Sequence, residues 1–234
     1  MTNKVAYEEL TPARIFAGDS PPAAAAAKKK GKAARKFEPR DAAAPAELLD
    51  LTRFYNAGLD ESWHGGSGND LASLPTGVHV FEGVKFDVRG IVQLASKSPS
   101  STNYPVQVQG IKVNHKCERI HFLHAAGFGA LNGGDHVIGW YVLRFANDQM
   151  QLKIPIRYGR DVEDWHANLV DPPSNTNLTV AWEGANALSK RMTNSIRLFT
   201  TTWTNVAPAV EIESLDFVSA MAGPAPFLIA ITVD

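Results

Sequence analysis

The sequence predicts an all-β chain, a β-sandwich of jelly-roll type, and three observations carry that prediction. From Val78 onward short apolar runs recur with turn signals every 8–15 residues. No helical period is sustained over more than about ten residues. Residues 151–158 alternate strictly, with Leu152, Ile154, Ile156 and Tyr158 on one side and Gln151, Lys153, Pro155 and Arg157 on the other, the pattern of a sheet with one wet face.

The strands expected are Val78–Phe81, Lys85–Leu94, Val106–Val113, Arg119–His124, Val137–Phe145, Met150–Tyr158, Leu178–Glu183, Ser195–Thr202, Glu211–Ser219 and Phe227–Val233. Pro155 lacks an N–H donor, so its strand belongs at an edge. The alternation slips by one between Ile212 and Leu215, which predicts a β-bulge. In Phe227–Val233 both faces are apolar, so this terminal strand belongs between neighbours. Ten strands with few helices give two packed sheets.

Ahead of this body, residues 46–77 read as an N-terminal strap. Leu48, Leu49, Leu51, Phe54 and Tyr55 suffice for one or two helical turns, and Gly65, Gly66 and Gly68 then interrupt the chain. Residues 1–45 form an extended, low-complexity arm rich in alanine and lysine. They hold nine Lys/Arg against five Asp/Glu, a surplus of four that leaves −5 on residues 46–234. Lys28, Lys29, Lys30, Lys32, Arg35, Lys36 and Arg40 are candidate partner-docking residues for an acidic surface. The acidic body itself is not expected to read a nucleic acid backbone.

A hydrophobic fraction of 44% and a charged fraction of 20% suit a globular body with a proper core. Cys117 is the single cysteine, which excludes an intrachain disulfide and a cysteine metal site. The opening residues lack a secretory apolar core, and nowhere do about 18 apolar residues run together. No transmembrane segment is therefore expected. Read literally the chain is cytosolic, or of the cell envelope or exterior if it is a mature form or fragment.

No G-x-S-x-G, H-E-x-x-H, phosphate-loop or EF-hand pattern occurs, so no reaction is fixed by motif and no enzyme is expected. His121 and His124 lie three apart on one strand and point to opposite faces, which cannot chelate a metal. Asn69, Asp70, Asn132 and Asp135 offer oxygens for a structural calcium without a complete motif; otherwise no cofactor or metal is expected. The run Arg160-Asp161-Val162-Glu163-Asp164-Trp165-His166 gathers charge beside an aromatic. Its bland reading is that Asp161 or Asp164 bonds backbone amides and shapes a turn. Its functional reading is a sugar stacked on an indole with neighbouring polar groups on the hydroxyls. Arg160, Asp161, Asp164, Trp165, Trp203 and Asn205 are the candidate ligand-binding residues.

Five phrases carry a resemblance: Phe86-Asp87-Val88-Arg89-Gly90-Ile91-Val92-Gln93-Leu94, His121-Phe122-Leu123-His124-Ala125, Ile154-Pro155-Ile156-Arg157-Tyr158-Gly159-Arg160-Asp161-Val162, Ala181-Trp182-Glu183-Gly184-Ala185-Asn186 and Pro226-Phe227-Leu228-Ile229-Ala230-Ile231-Thr232-Val233. Through them residues 78–234 resemble galactose-binding-like β-sandwich domains, of the type found at the C-terminal end of larger uncharacterised bacterial proteins. Asn56-Ala57-Gly58-Leu59-Asp60-Glu61-Ser62-Trp63 looks like the usual lead-in. The resemblance implies the fold and a non-catalytic binding or accessory module, with a glycan or protein partner met through loops at one end. The alternative is a structural subunit of a larger assembly that uses residues 1–45 as a docking arm.

Overall fold

In the computed structural model, described for residues 37–129, 134–146, 150–168 and 178–234, the alternation of side chains places the strands as the sequence predicts. They are β1 (Gly77–Phe81), β2 (Val84–Val88), β3 (Val92–Gln93), β4 (Gln107–His115), β5 (Arg119–Gly127), β6 (His136–Phe145), β7 (Gln151–Tyr158), β8 (His166–Asn168), β9 (Thr179–Gly184), β10 (Asn194–Thr204), β11 (Ile212–Ser219) and β12 (Ala225–Val233), with one short helix, α1 (Ala187–Arg191). One sheet runs β3-β12-β5-β10-β8 with β9 on β10, a second runs β4-β11-β6-β7, and β1 and β2 form a hairpin. All of these ladders are antiparallel. From β3 to β7 successive strands change sheet at each step until β6 and β7 pair as neighbours.

The two large sheets meet through aromatic side chains. Phe122 of β5 stacks on Tyr141 of β6 with ring centroids 3.8 Å apart, and Tyr141 packs on Phe217 of β11. Every residue of β12 is buried, and β12 lies between β3 and β5. β7 is the edge of its sheet, as Pro155 requires. The bulge expected between Ile212 and Leu215 appears as a register shift between Ile212 and Ser214.

Three local details refine these expectations. Lys85–Leu94 is not one strand but β2 and β3, because Arg89 turns aside to bond Asp87, Asp50 and Thr52. Residues 48–55 make a single helical turn, with the Phe54 and Tyr55 N–H groups on the Leu51 carbonyl, and not the start of a helix. Leu48 instead bridges Thr232, and the Leu49 N–H bonds the Ile231 carbonyl, so the strap extends the β12 ladder where β3 stops. Helix α1 was not expected. Its signal is an Asn186–Ser189 capping box, in which each side chain bonds the other residue's backbone N–H.

The strap is fastened by Gln93, which is fully buried. An indole N–H only donates, so the Gln93 atom 3.0 Å from Trp63 Nε1 is the carbonyl oxygen. The same oxygen lies 2.8 Å from His64 Nε2, which must therefore carry the proton. The Gln93 amide nitrogen donates to the carbonyls of Leu94 and Pro226. Its backbone N–H and carbonyl are both met by the Asn56 carboxamide at 2.9 Å, so one side chain closes the edge of β3. Gln93→Leu would leave the Trp63 and His64 donors without their acceptor in the interior and take a donor from the Leu94 carbonyl, while the Pro226 carbonyl keeps the Leu94 N–H. It should cost roughly 3 kcal/mol or more of unfolding free energy; a urea midpoint equal to that of the natural chain would refute this account.

Candidate functional site

After β7 the chain must cross from one sheet to the other, and residues 158–168 make that crossing. Gly159 adopts φ +78°, and the Asp161 carboxylate accepts the Arg157 N–H at 2.8 Å, which closes the turn. The segment then wedges between β5 and β10. Ala126 N–H bonds the Glu163 carbonyl, Trp165 N–H bonds the Ala126 carbonyl, and Arg197 N–H bonds the Trp165 carbonyl. The Asp164 carboxylate accepts the N–H groups of Gly129 (2.7 Å) and His166 (2.9 Å). Beside it Glu163 and Arg197 form a buried ion pair at 2.6 Å, with the guanidinium 5.2 Å above the Phe199 ring.

This geometry corrects most of the expected ligand residues. Trp165 is 1% exposed and lies 4.6 Å from Trp63, ring centroid to centroid. Two Trp-His dipeptides, Trp63-His64 and Trp165-His166, pack there in tilted and edge-on contacts with Phe227 as core, so Trp165 has no face left for a sugar. That packing also explains Gly127, where any Cβ would collide with the His64 ring. Trp203 is buried as well. Asn205 is a turn former, donating to the Cys117 carbonyl and accepting the Ala207 N–H. Asp164 is spent on backbone amides, the bland reading of that run.

Arg160 and Asp161 are different. They line a cleft of about 550 Å³ together with Glu82, Val84, Thr179, Thr200, Thr201 and Thr202. Glu82 and Val84 reach it from a two-residue β1–β2 turn in which Glu82 and Gly83 both have positive φ. The lining is polar and rich in hydroxyls. Thr200 Oγ1 is buried without a hydrogen-bond partner among the described residues. Thr201 Oγ1 is 3.1 Å from His124 Nε2, and His124 Nδ1 is 3.0 Å from the Tyr141 hydroxyl, so a hydroxyl–imidazole–hydroxyl chain runs from the cleft into the interior. Burial pushes the His124 imidazole down to about 3, which keeps it neutral and a weak base. The threonines were missed because Thr200-Thr201-Thr202 sits inside a strand; three successive polar residues there were the available signal.

Of the proposed docking residues, Lys28, Lys29, Lys30, Lys32, Arg35 and Lys36 lie outside the described residues. Arg40 belongs to the body: it pairs with buried Asp87 at 2.9 Å and donates to the carbonyls of Pro45 and Leu48. The suggested calcium donors are engaged elsewhere. Asn69 Oδ1 meets His166 Nε2, Asp70 accepts the Ala72 N–H and Asp135 pairs with Arg157, while Asn132 lies outside the described residues. Among the described residues no three His, Cys, Asp or Glu side chains gather to hold a metal, and no helix is long and apolar enough to cross a membrane.

The buried titrating groups pull in opposite directions with pH. Burial lowers His64 to about 4 and His124 to about 3, and lowers His166 too. Their folded forms bind fewer protons than the unfolded chain below about pH 6.5, so stability falls as pH falls through that range. Burial raises Asp164 to about 6 and also raises Asp161. Those carboxyls bind more protons when folded, which favours the fold as pH drops from about 6 to 4. The lowered imidazoles and the raised carboxyls therefore oppose one another across that range. Asp164→Asn removes one opposing term, so its urea midpoint should fall more steeply between pH 6 and 4.5 than that of the natural chain. An unchanged slope would show that Asp164 does not titrate there.

Comparison with family models, with curated proteins and with solved structures finds no match to this chain.

Proposed function

We propose that the chain is a non-catalytic binding module, a galactose-binding-like sandwich of jelly-roll type that takes a carbohydrate in the cleft beside β10. The jelly-roll reading is supported by the strand orders β3-β12-β5-β10 and β4-β11-β6-β7, in which consecutive strands change sheet except at the β6–β7 hairpin. Two interleaved Greek keys have that form. The observation that carries the binding reading is a cleft walled by Thr179, Thr200, Thr201 and Thr202 and flanked by Arg160 and Asp161. A polyhydroxylated ligand supplies both donors and acceptors to such a lining, and the guanidinium fixes its orientation.

Catalysis is not favoured by the same groups. A hydrolase acting through Thr201 needs a base near neutrality, and His124 is far below it. Screening the full chain on a glycan array, followed by calorimetry on the best binder, tests the proposal. Arg160→Ala should weaken affinity about tenfold or more, the loss of one charge-assisted hydrogen bond. Arg160 is exposed, so the fold should survive the change. Silence across the array, or a binder indifferent to this substitution, removes the reading.

A second reading, a structural subunit with a docking arm, is favoured by one feature. The basic run ends where the chain becomes anchored: Phe37 packs on Tyr55 with ring centroids 5.3 Å apart, and Arg40 is tied to Asp87. Removing residues 1–36 should then abolish salt-dependent retention on an anionic matrix while leaving the urea midpoint in place. Equal retention with and without those residues would make the arm a linker.

A further inference from the structure

A strand at a sheet edge leaves alternate N–H and C=O groups without partners, and chains that stay single blunt such edges. The edges of β3, β4, β7 and β9 are blunted. The Asn56 carboxamide occupies both backbone groups of Gln93 at β3. β4 is broken by two register shifts against β11, and Lys112 projects from it. β7 carries Lys153 and Pro155. β9 carries a register shift and the exposed Glu183.

The edge of β1 has none of these devices. Gly77–Phe81 contains no lysine, no proline and no carboxylate, and its ladder to β2 runs from Gly77↔Val88 to Phe81↔Val84 without a shift. Among the described residues β1 pairs with β2 alone. Val78 and Val80 point outward from it at 42% and 59% exposure, two of the most exposed large apolar side chains among the described residues. The edge is also self-complementary. In Val78-His79-Val80, antiparallel pairing of two copies about His79 sets each Val78 opposite the other copy's Val80. The four valines then form one continuous row on a single face, the geometry of an isologous two-fold contact.

We propose that β1 is a self-association edge: a second copy of this chain adds its own β1 antiparallel to it, extending the hairpin to four strands across a two-fold axis. The proposal is independent of the cleft. Five paired residues bury much less than the roughly 800 Å² per partner of a standard interface, so the dimer should be weak and dissociate on dilution.

Sedimentation equilibrium of the full chain, over a concentration series from about 5 μM to 1 mM, tests this directly. The average mass should rise with concentration from the 25.4 kDa of one chain toward twice that value. Val80→Lys puts a charge on the new seam and should weaken association about tenfold or more, with Val78→Lys acting alike. Both sites are exposed, so circular dichroism and the urea midpoint should match those of the natural chain. Three results would each overturn the proposal. One is a natural chain that keeps the mass of a single copy across the series. Another is a lysine variant that associates as tightly as the natural chain. The last is association lost on removing residues 1–36 but kept in Val80→Lys, which would assign the contact to the arm.

Discussion

The fold depends on one buried carboxamide. Gln93 sits where three parts of the chain converge, the strap, β3 and β12, and each of its polar atoms has a partner. A primary amide suits this place because it offers two acceptor sites and two donors at opposite ends of a short planar group. A carboxylate would face the Leu94 and Pro226 carbonyls with no proton to give them, and an aliphatic side chain would strand the Trp63 indole N–H. Because the oxygen is claimed by Trp63, the His64 tautomer follows, and with it the position of the His64 ring over Gly127 and beside Phe128. The tilted Trp63–Trp165 contact then fixes where the chain enters after its crossing. Gln93 thus positions the segment that ends the β7 turn, although it lies on the opposite edge of the sheet order from β10.

Polar groups do most of the work of holding the irregular parts. Arg89 bonds Asp87, Asp50 and Thr52, and Arg40 bonds Asp87 from the other side. Burial alone would raise the Asp50 carboxyl, yet hydrogen bonds from Thr52 and the Arg89 guanidinium hold it down at about 2. Glu163 and Arg197 play the equivalent part under the crossing segment. Ion pairs of this kind add little net stability over apolar packing, but breaking one leaves a buried charge unmatched. They therefore fix one arrangement of the strap and the turn against competing ones. Most of the residues that looked best suited to ligand contact are thus committed to shape, and the proposed binding rests on the groups that line the cleft beside β10.

Much of the architecture was legible because period-two alternation is a local signal. The wet face of β7, its place at an edge, the slip near Ile212 and the doubly apolar β12 all follow from a few consecutive side chains. What was not legible depends on residues far apart in sequence. Trp165 near charges reads as a loop aromatic, and only the presence of Trp63, a hundred residues earlier, makes it core. Strand β8 has three residues and exists because β5 and β10 diverge to admit it. Arg40 looks like part of a basic run until Asp87 is placed beside it. Arg160 and Asp161 were visible as polar turn residues, but the threonine wall opposite them required the β9–β10 pairing. Gln93 carried a fainter mark, a single amide inside the apolar run Ile91–Ala95, where an unpaired polar group would be intolerable.

The distribution of satisfied and unsatisfied groups also limits where this molecule can act. The first sheet is covered on one face by the second sheet, and the strap and β2 pack along β12, with Thr232 bonding the Lys85 carbonyl. The crossing turn is saturated by Asp161 and Asp164. Binding through those regions would require breaking existing hydrogen bonds, a cost comparable to that of a core substitution. Two regions differ: the hydroxyl-lined cleft beside β10 and the open backbone edge of β1. The cleft is lined by threonine hydroxyls, and β1 pairs on one side alone among the described residues, so a partner could add contacts at either place without breaking the bonds that hold the crossing turn. The Glu82-Gly83 turn joins them, ending β1 and lining the cleft.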